Sequence, residues 1–369
     1  MEHFEFKLGT KVYFGQGQLK RIGEICAEHN MKKVMVVSGK HVSKLPLMEE
    51  LLEELKAAGI AYDTFFEVPN DPDVDTIDLL TDKMKSFGAD GSVAVGGGSP
   101  LDGAKAACIL QTNEGKAEEY VFGGGKNVVY PGIPLICIPT TAGTGSEITG
   151  VSVLSNHRTL KKASISSEFM KPVAAIVDPI AIKDAPKGVT ASTGMDALTH
   201  AIEAYVCKKA NLFSDLFAEK AIRLIGENLI ASYEDGSDLE ARANMALAST
   251  FAAVAFSHSG LGAVHGIAQS IGGVAGTAHG ITNAVMLPYV MKVNYEGNPK
   301  KYDRVRELLG MEVETLCKKL SIPERTRDLG VKEEMLSKIV EETMVYRQLA
   351  INPVTITQEL AEKLVRESF

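Results

Sequence analysis

A chain of 369 residues is long enough for two domains, each with its own core, and its 45% hydrophobic and 23% charged residues are an ordinary globular composition, with 34 glycines somewhat high. A formal net charge of −8, with no basic run, excludes a sequence-independent nucleic-acid binder. The five cysteines (Cys26, Cys108, Cys137, Cys207, Cys317) are odd in number and form no CxxC pair, so they read as reduced structural thiols of a cytoplasmic protein.

Taken in chain order, residues 1–11 mix charge with aromatics and lack the apolar run of a signal peptide. Residues 34–38 are a β-branched apolar run, and 47–58 follow with helical spacing that stops at Gly59. A second strand is predicted at 61–66 and a helix at 74–87, entered after Asn70-Asp71-Pro72 and ended by Gly88. A third strand at 92–95 runs into Gly96-Gly97-Gly98-Ser99 and a helix over 100–110. Gly123-Gly124-Gly125 follows no clear strand and reads as a flexible turn. Further strands are predicted at 135–138 and 173–177. Continuous apolar strands alternating with helices predict a parallel sheet covered on both faces.

After Asp178-Pro179 the strand signal stops, and Pro186-Lys187-Gly188 reads as a hinge. Helical period then marks 190–208, 212–231, 238–256, 260–273, 279–293, 312–320, 332–347 and 356–367. The expected architecture is α/β plus all-α: a Rossmann-like parallel-sheet domain over 1–186 and an all-helical domain over 187–369. Residues 243–291 are apolar enough to raise a membrane span, but their many Gly, Ser, Thr, Asn and Gln and three His predict buried small-residue helices instead.

Two loops have the chemistry of an anion site. Strand 92–95, the glycines and Pro100 form a strand, turn and helix start, where glycine lets backbone approach a pyrophosphate and the helix N-terminus offers unpaired N–H groups. Ser99 and Asp102 also read as a capping pair, and both roles can hold together. GGGS is not the GxGxxG fingerprint of ordinary Rossmann domains. The second loop, Thr140-Thr141-Ala142-Gly143-Thr144-Gly145-Ser146, follows another strand, and in an open parallel sheet both would lie at the carboxyl ends of the strands.

A different chemistry sits in the helical half. Asp196 and His200 are four residues apart on one predicted helical face, with Glu203 on the same stripe and Leu198, Ile202 and Tyr205 opposite. Between Arg242 and Lys292 there is no Asp, Glu, Lys or Arg, yet His258, His265 and His279 lie there. Each His alone reads as a hydrogen-bonded core residue, whereas Asp196, His200, His265 and His279 together read as ligands of one divalent metal. Glu203 reads either as a residue orienting a ligand or as a solvated carboxylate.

These motifs resemble the iron-containing (group III) alcohol dehydrogenase family. The resemblance runs through Gly96-Gly97-Gly98-Ser99-Pro100-Leu101-Asp102-Gly103-Ala104-Lys105, Ile138-Pro139-Thr140-Thr141-Ala142-Gly143-Thr144-Gly145-Ser146-Glu147 and Ser192-Thr193-Gly194-Met195-Asp196-Ala197-Leu198-Thr199-His200-Ala201-Ile202-Glu203. It continues through Gly260-Leu261-Gly262-Ala263-Val264-His265-Gly266 and Ala278-His279-Gly280, and more faintly Asn352-Pro353. It implies a metal-dependent NAD(P)-linked alcohol dehydrogenase or aldehyde reductase, with Asp196, His200, His265 and His279 holding iron or zinc. It implies that Gly97, Gly98 and Ser99 cradle the pyrophosphate, that Thr140, Thr141, Thr144 and Lys162 contact the cofactor, and that Asp102 lies near the nicotinamide. A small alcohol or aldehyde would be the substrate, and a dimer or larger homo-oligomer the assembly.

Two positions depart from the family pattern. Gln269 stands where many relatives carry a His, and His258 where many carry Asn; His258 reads as a hydrogen-bonded helix-end residue. The end of the first nucleotide-domain strand, where an acidic residue would bind the ribose 2′-OH and repel a 2′-phosphate, is Ser38-Gly39-Lys40. Gly39 therefore counts among the cofactor contacts, and NADP(H) is expected to be admitted beside NAD(H). The alternative is a lyase or synthase on the dehydroquinate-synthase-like scaffold, which the scarcity of cations in 190–207 and 258–285 disfavours.

Overall fold

The computed structural model describes residues 3–158 and 161–369, which fall into two compact units. The first comprises Leu8–Thr141 and Gly145–Asp184. Among its described residues, eight strands form: β1 (Lys11–Phe14), β2 (Lys33–Ser38), β3 (Ala61–Phe65), β4 (Gly91–Gly96), β5 (Leu135–Pro139), β6 (Val151–Asn156), β7 (Lys161–Ser166) and β8 (Ala174–Val177). Six make one parallel sheet in the order β1-β8-β5-β4-β2-β3, and β6 pairs antiparallel with β7.

Strand alternation explains why the runs are apolar throughout. Val34, Val36, Val93, Val95, Ile136 and Ile138 point to one face, and Met35, Val37, Ala94 and Cys137 to the other; all are buried. Helices α1 (Ile22–Glu28) and α2 (Pro46–Ala57) cover the first face, and α3 (Val74–Phe87) and α4 (Gly98–Ile109) the second. Asp73 caps α3 by accepting from the Thr76 N–H at 2.9 Å, and Gly88 ends it with φ 70°. Two short helices, α5 (Ala117–Tyr120) and α6 (Pro179–Ile182), complete the unit. Strand β1, helix α1 and the β6–β7 hairpin were not predicted: β1 is a four-residue edge strand, and β6–β7 is polar.

The second unit contains Ala185–Phe369, Ala142–Thr144 and the described residues before Leu8. Its helices are α7 (Lys187–Val206), α8 (Leu212–Glu234), α9 (Leu239–Ser259), α10 (Ala263–Ala275), α11 (His279–Asn294), α12 (Pro299–Leu309), α13 (Val313–Lys319), α14 (Leu336–Met344) and α15 (Gln358–Ser368). Helix α7 is buried along nearly its whole length and packs on α8, α9 and α11 in one apolar core. The expected start of α10 at 260 moves to Ala263, because Gly260 turns the chain with φ 100°. Helix α12 is absent from the expected elements: its start, Pro299-Lys300-Lys301, masks a face made by Tyr302, Val305, Leu308 and Leu309. Among the described residues no single helix is long and apolar enough to cross a membrane; α9 and α10 pass that test only as a pair bent by 103°.

Candidate active site

In the sheet unit the chain order reverses between β2 and β4. From β2 it steps outward to β3, while β4, β5 and β8 extend the sheet the other way. A crevice outside the strand ends at such a switch point is where open α/β sheets bind ligands. Ser38-Gly39-Lys40 and Gly96-Gly97-Gly98 leave the sheet on its two sides. The Ser38 hydroxyl donates to the Val95 carbonyl at 2.8 Å, and the Thr140 N–H donates to the Gly96 carbonyl at 2.9 Å, so the loops after β2, β4 and β5 are fastened together.

Glycine is demanded here sterically. Gly96 has φ 153°, and a Cβ there would lie 2.6 Å from Pro100 Cγ. A Cβ on Gly97 would lie 3.3 Å from Thr141 Oγ1. Helix α4 begins at Gly98 with Gly97 as N-cap and no side-chain cap. This corrects the expected capping pair: Ser99 lies inside the first turn and Pro100 is the third helical residue. Leading N–H groups without a side-chain cap are what an anion can take.

The remaining cofactor candidates are distributed as follows. The Ser99 hydroxyl accepts from the Asp71 N–H at 3.2 Å, and Lys162 on β7 pairs with Asp71 at 2.8 Å, which sets its ammonium near the cradle. Asp102 accepts from the Val153 N–H at 2.9 Å and from the Ser146 hydroxyl at 2.5 Å, and meets Lys105 Nζ at 3.4 Å. Thr140 is buried and Thr141 half-buried in the sheet unit, whereas Thr144 belongs to the helical unit.

The helical unit gathers side chains instead of backbone. The nearest ligand atoms of Asp196, His265 and His279 lie within 4.8 Å of one another. Asp196 comes from the middle of α7, His265 from the first turn of α10, and His279 opens α11. Close packing of α11 on α7 sets this convergence: a Cβ on Gly280 would meet the Ser192 carbonyl at 2.7 Å. His200 stands beside these three without joining the tight set, its ring stacked 4.5 Å from His265 and 4.6 Å from Phe256. Its Nδ1 is buried and meets no hydrogen-bond partner.

Sequence reasoning missed Asn283, fully buried and one turn after His279 on α11. Its Nδ2 lies 2.7 Å from Asp196 Oδ1, 3.2 Å from His265 Nε2 and 3.1 Å from His279 Nε2. The signal was available: an i,i+4 polar partner in a stretch without charges.

Glu203 is buried, not solvated. Its Oε2 lies 2.6 Å from His265 Nδ1, and its Oε1 accepts from the Val264 N–H at 2.7 Å. It therefore caps the start of α10 and fixes the His265 tautomer with the proton on Nδ1, leaving the Nε2 lone pair toward Asp196. Asn352 of the faint tail motif supports the same turn, accepting from the Ala263 N–H at 3.1 Å and from Asn294 Nδ2 at 3.0 Å. His258 is the helix-end residue expected: its Nδ1 meets the Val254 carbonyl at 2.7 Å and its Nε2 the Lys7 backbone. Gln269 lies one turn beyond His265 on α10.

Electrostatics keep the cluster in ligand form. Burial pushes the His200 imidazole down to about 3, so it is neutral. Burial would raise the Asp196 carboxyl, but His200, His279, His265 and the Asn283 amide outweigh it and hold it below its ordinary value. Three acceptors converge on an Asn283 amide with two hydrogens, and the buried His200 Nδ1 beside them has no hydrogen-bond partner. One carboxylate held below its ordinary range together with three imidazoles is a donor set that fits a divalent transition metal.

Fold and site together define a class: a dinucleotide-type sheet unit joined in one chain to a helical unit with an Asp/His cluster that could hold a metal. Residues 9–179 match the model of the iron-containing alcohol dehydrogenases, and residues 190–369 match the C-terminal model of the Fe-containing alcohol dehydrogenase family. The chain belongs to that family and is an oxidoreductase of the alcohol dehydrogenase type. It is 35% identical to the NAD-dependent methanol dehydrogenase of Bacillus methanolicus, over 94% of this chain and 95% of that one. It is 35% identical to the 1,3-propanediol dehydrogenase of Klebsiella pneumoniae, over 99% of both. A crystal structure of a 1,3-propanediol oxidoreductase superposes with a TM-score of 0.96 at 34% identity, covering both chains completely.

Proposed function

We propose that the chain interconverts small primary alcohols and their aldehydes with a nicotinamide cofactor, using one iron or zinc ion held by Asp196, His200, His265 and His279. The observation that carries this reading is the convergence of Asp196 Oδ1, His265 Nε2 and His279 Nε2 on the buried Asn283 amide, with Asp196 and His265 buried and His279 open to solvent. When bound, the cation polarises the alcohol or carbonyl oxygen while the nicotinamide exchanges hydride. The chain's own residues set the conditions: Asp196 supplies the negative charge, His200 stays neutral in its buried place, and Glu203 aims His265. In the sheet unit, Gly97, Gly98 and Ser99 offer backbone to the pyrophosphate, with Gly39, Asp102, Thr140, Thr141 and Lys162 as further cofactor contacts; Thr144, of the helical unit, is proposed as another.

The relatives named for methanol and 1,3-propanediol support a short-chain alcohol. The methanol dehydrogenase is named NAD-dependent, and a sulfoacetaldehyde reductase from Bifidobacterium kashiwanohense, 28% identical with a TM-score of 0.91, was solved with NAD+. Ser38-Gly39-Lys40 carries no carboxylate to repel a 2′-phosphate, which supports NADP(H) as a second cofactor. The five cysteines are free and buried, which supports the reducing cytoplasm as the compartment. A homo-oligomer is proposed by analogy with the family.

The test is to strip the protein of metal, restore ferrous iron or zinc, and follow reduced-nicotinamide absorbance with propanal or butanal and either cofactor. Turnover that returns with the metal supports the reading; turnover indifferent to metal refutes it, and a strong preference for NADH would refute the cofactor part alone.

A further inference from the structure

Asn283 is fully buried within α11. A helical asparagine can spend its amide on its own backbone, as Asn228 on α8 does by donating to the Leu224 carbonyl at 2.8 Å. The Asn283 amide instead reaches side chains of the cluster: Asp196 Oδ1 at 2.7 Å, His279 Nε2 at 3.1 Å and His265 Nε2 at 3.2 Å. Its own Oδ1 is buried and accepts nothing. An unpaired buried acceptor is unfavourable, so the orientation of this amide is set by the cluster and not by its own satisfaction. The reverse orientation would set Oδ1 against the Asp196 carboxylate, so Asp196 decides which end faces the three acceptors.

His265 shows why the contacted atom matters. Glu203 meets His265 at Nδ1, the nitrogen turned away from the cluster, and leaves the Nε2 lone pair available. Asn283 meets His265 and His279 at Nε2, the atoms that converge with Asp196 Oδ1. Asp196 Oδ1 stands 3.9 Å from His265 Nε2 and 3.8 Å from His279 Nε2, separations that two bonds of about 2.0–2.2 Å meeting at one zinc ion would span. An imidazole nitrogen has one lone pair and serves either an N–H or a cation. A carboxylate oxygen has two and can serve both. The amide and a cation can therefore share Asp196, but they exclude each other at His265 and His279.

We propose that the Asn283 amide is a built-in competitor for the metal: its hydrogens take the lone pairs of His265 and His279 that the ion needs, hold the cluster together when no ion is present, and lower its affinity for the ion. This rests on the reading that Asp196, His265 and His279 are ligands of one divalent metal. Loss of the amide acts in the opposite direction to loss of Glu203. Removing Glu203 misdirects a ligand, whereas removing the Asn283 hydrogens releases two lone pairs. The bond to Asp196 is lost with and without the ion and largely cancels from the comparison.

The experiment measures the zinc Kd by chelator competition, and the melting temperature of stripped and zinc-loaded protein, for the wild type, Asn283→Ala, Asn283→Ser and His265→Ala. Asn283→Ala is expected to bind zinc about fivefold more tightly than the wild type, the scale of one hydrogen bond between neutral groups. Its stripped form should melt at a lower temperature, and the rise on adding zinc should be larger than in the wild type, since stabilisation by a bound ion grows with its affinity. Asn283→Ser, with one hydroxyl hydrogen in place of two amide hydrogens, should fall between the two and carries the test if Asn283→Ala does not fold. Weaker zinc binding in both Asn283 variants would make Asn283 a support of the Glu203 kind and overturn the inference. An unchanged Kd with equal losses in stripped and loaded melting temperature would make it a structural crosslink and overturn it as well. Should the wild type take up no zinc, or His265→Ala bind it as tightly as the wild type, the metal reading beneath the inference falls with it.

Discussion

The two candidate sites are built in opposite ways. The cradle in the sheet unit is made by removing side chains: Gly96 and Gly97 let Pro100 and Thr141 come close, and the start of α4 is left without a side-chain cap. The cluster in the helical unit is made by adding them: three acceptors from α7, α10 and α11 crowd around Asn283, and Glu203 aims His265 from behind. A backbone site is broken by any added bulk or charge at its rim. A side-chain site is broken by losing one lone pair, and weakened by losing the partner that aims it.

That contrast orders the expected effects. The largest is at Asp196, the one carboxylate among the proposed ligands: Asp196→Asn keeps the shape and removes the charge, and metal-restored turnover should vanish while the far-ultraviolet circular dichroism stays that of the native protein. Retained turnover would show that the cluster is a polar core and not a metal centre. At the cradle rim, Gly39→Asp should turn the protein against NADPH by about 100-fold, through like-charge repulsion of the 2′-phosphate, with NADH affected much less. Equal changes for both cofactors would remove Gly39 from the 2′-phosphate end of the site. The smallest effect is at Glu203. Glu203→Gln keeps an oxygen for the Val264 N–H but loses the charge beside His265 Nδ1, so metal affinity should drop by about 10-fold to 100-fold in chelator competition. No change would reduce Glu203 to a cap of α10.

Legibility in the sequence followed the same division. The parallel sheet is readable because the middles of β2, β4 and β5 are buried on both faces and so carry apolar runs such as residues 34–37, 93–95 and 135–138. The edge strand β1 and the hairpin β6–β7 are not, since half-exposed polar strands carry no such run. Asp196 and His200 announced themselves by four-residue spacing, and His265 and His279 by standing in a chargeless stretch. Asn283 escaped because a neutral amide in a helix looks unremarkable until three acceptors are seen around it. Lys105 escaped for a related reason: a lysine on a helix reads as solvated, and only tertiary structure shows it walled in by Ser146, Thr149 and Val151. The start of α4 was misplaced by two residues because Ser99 and Pro100 are good first-turn residues, while glycine without a side-chain cap leaves no signature of a helix start.

The most direct measurement is of metal content and affinity in the wild type and in His265→Ala after stripping and reloading with ferrous iron or zinc. The account predicts one tightly held equivalent in the wild type, and loss of both the ion and the aldehyde reduction in the variant. A variant that binds the ion as tightly as the wild type, or reduces aldehyde at the same rate without it, would contradict the account.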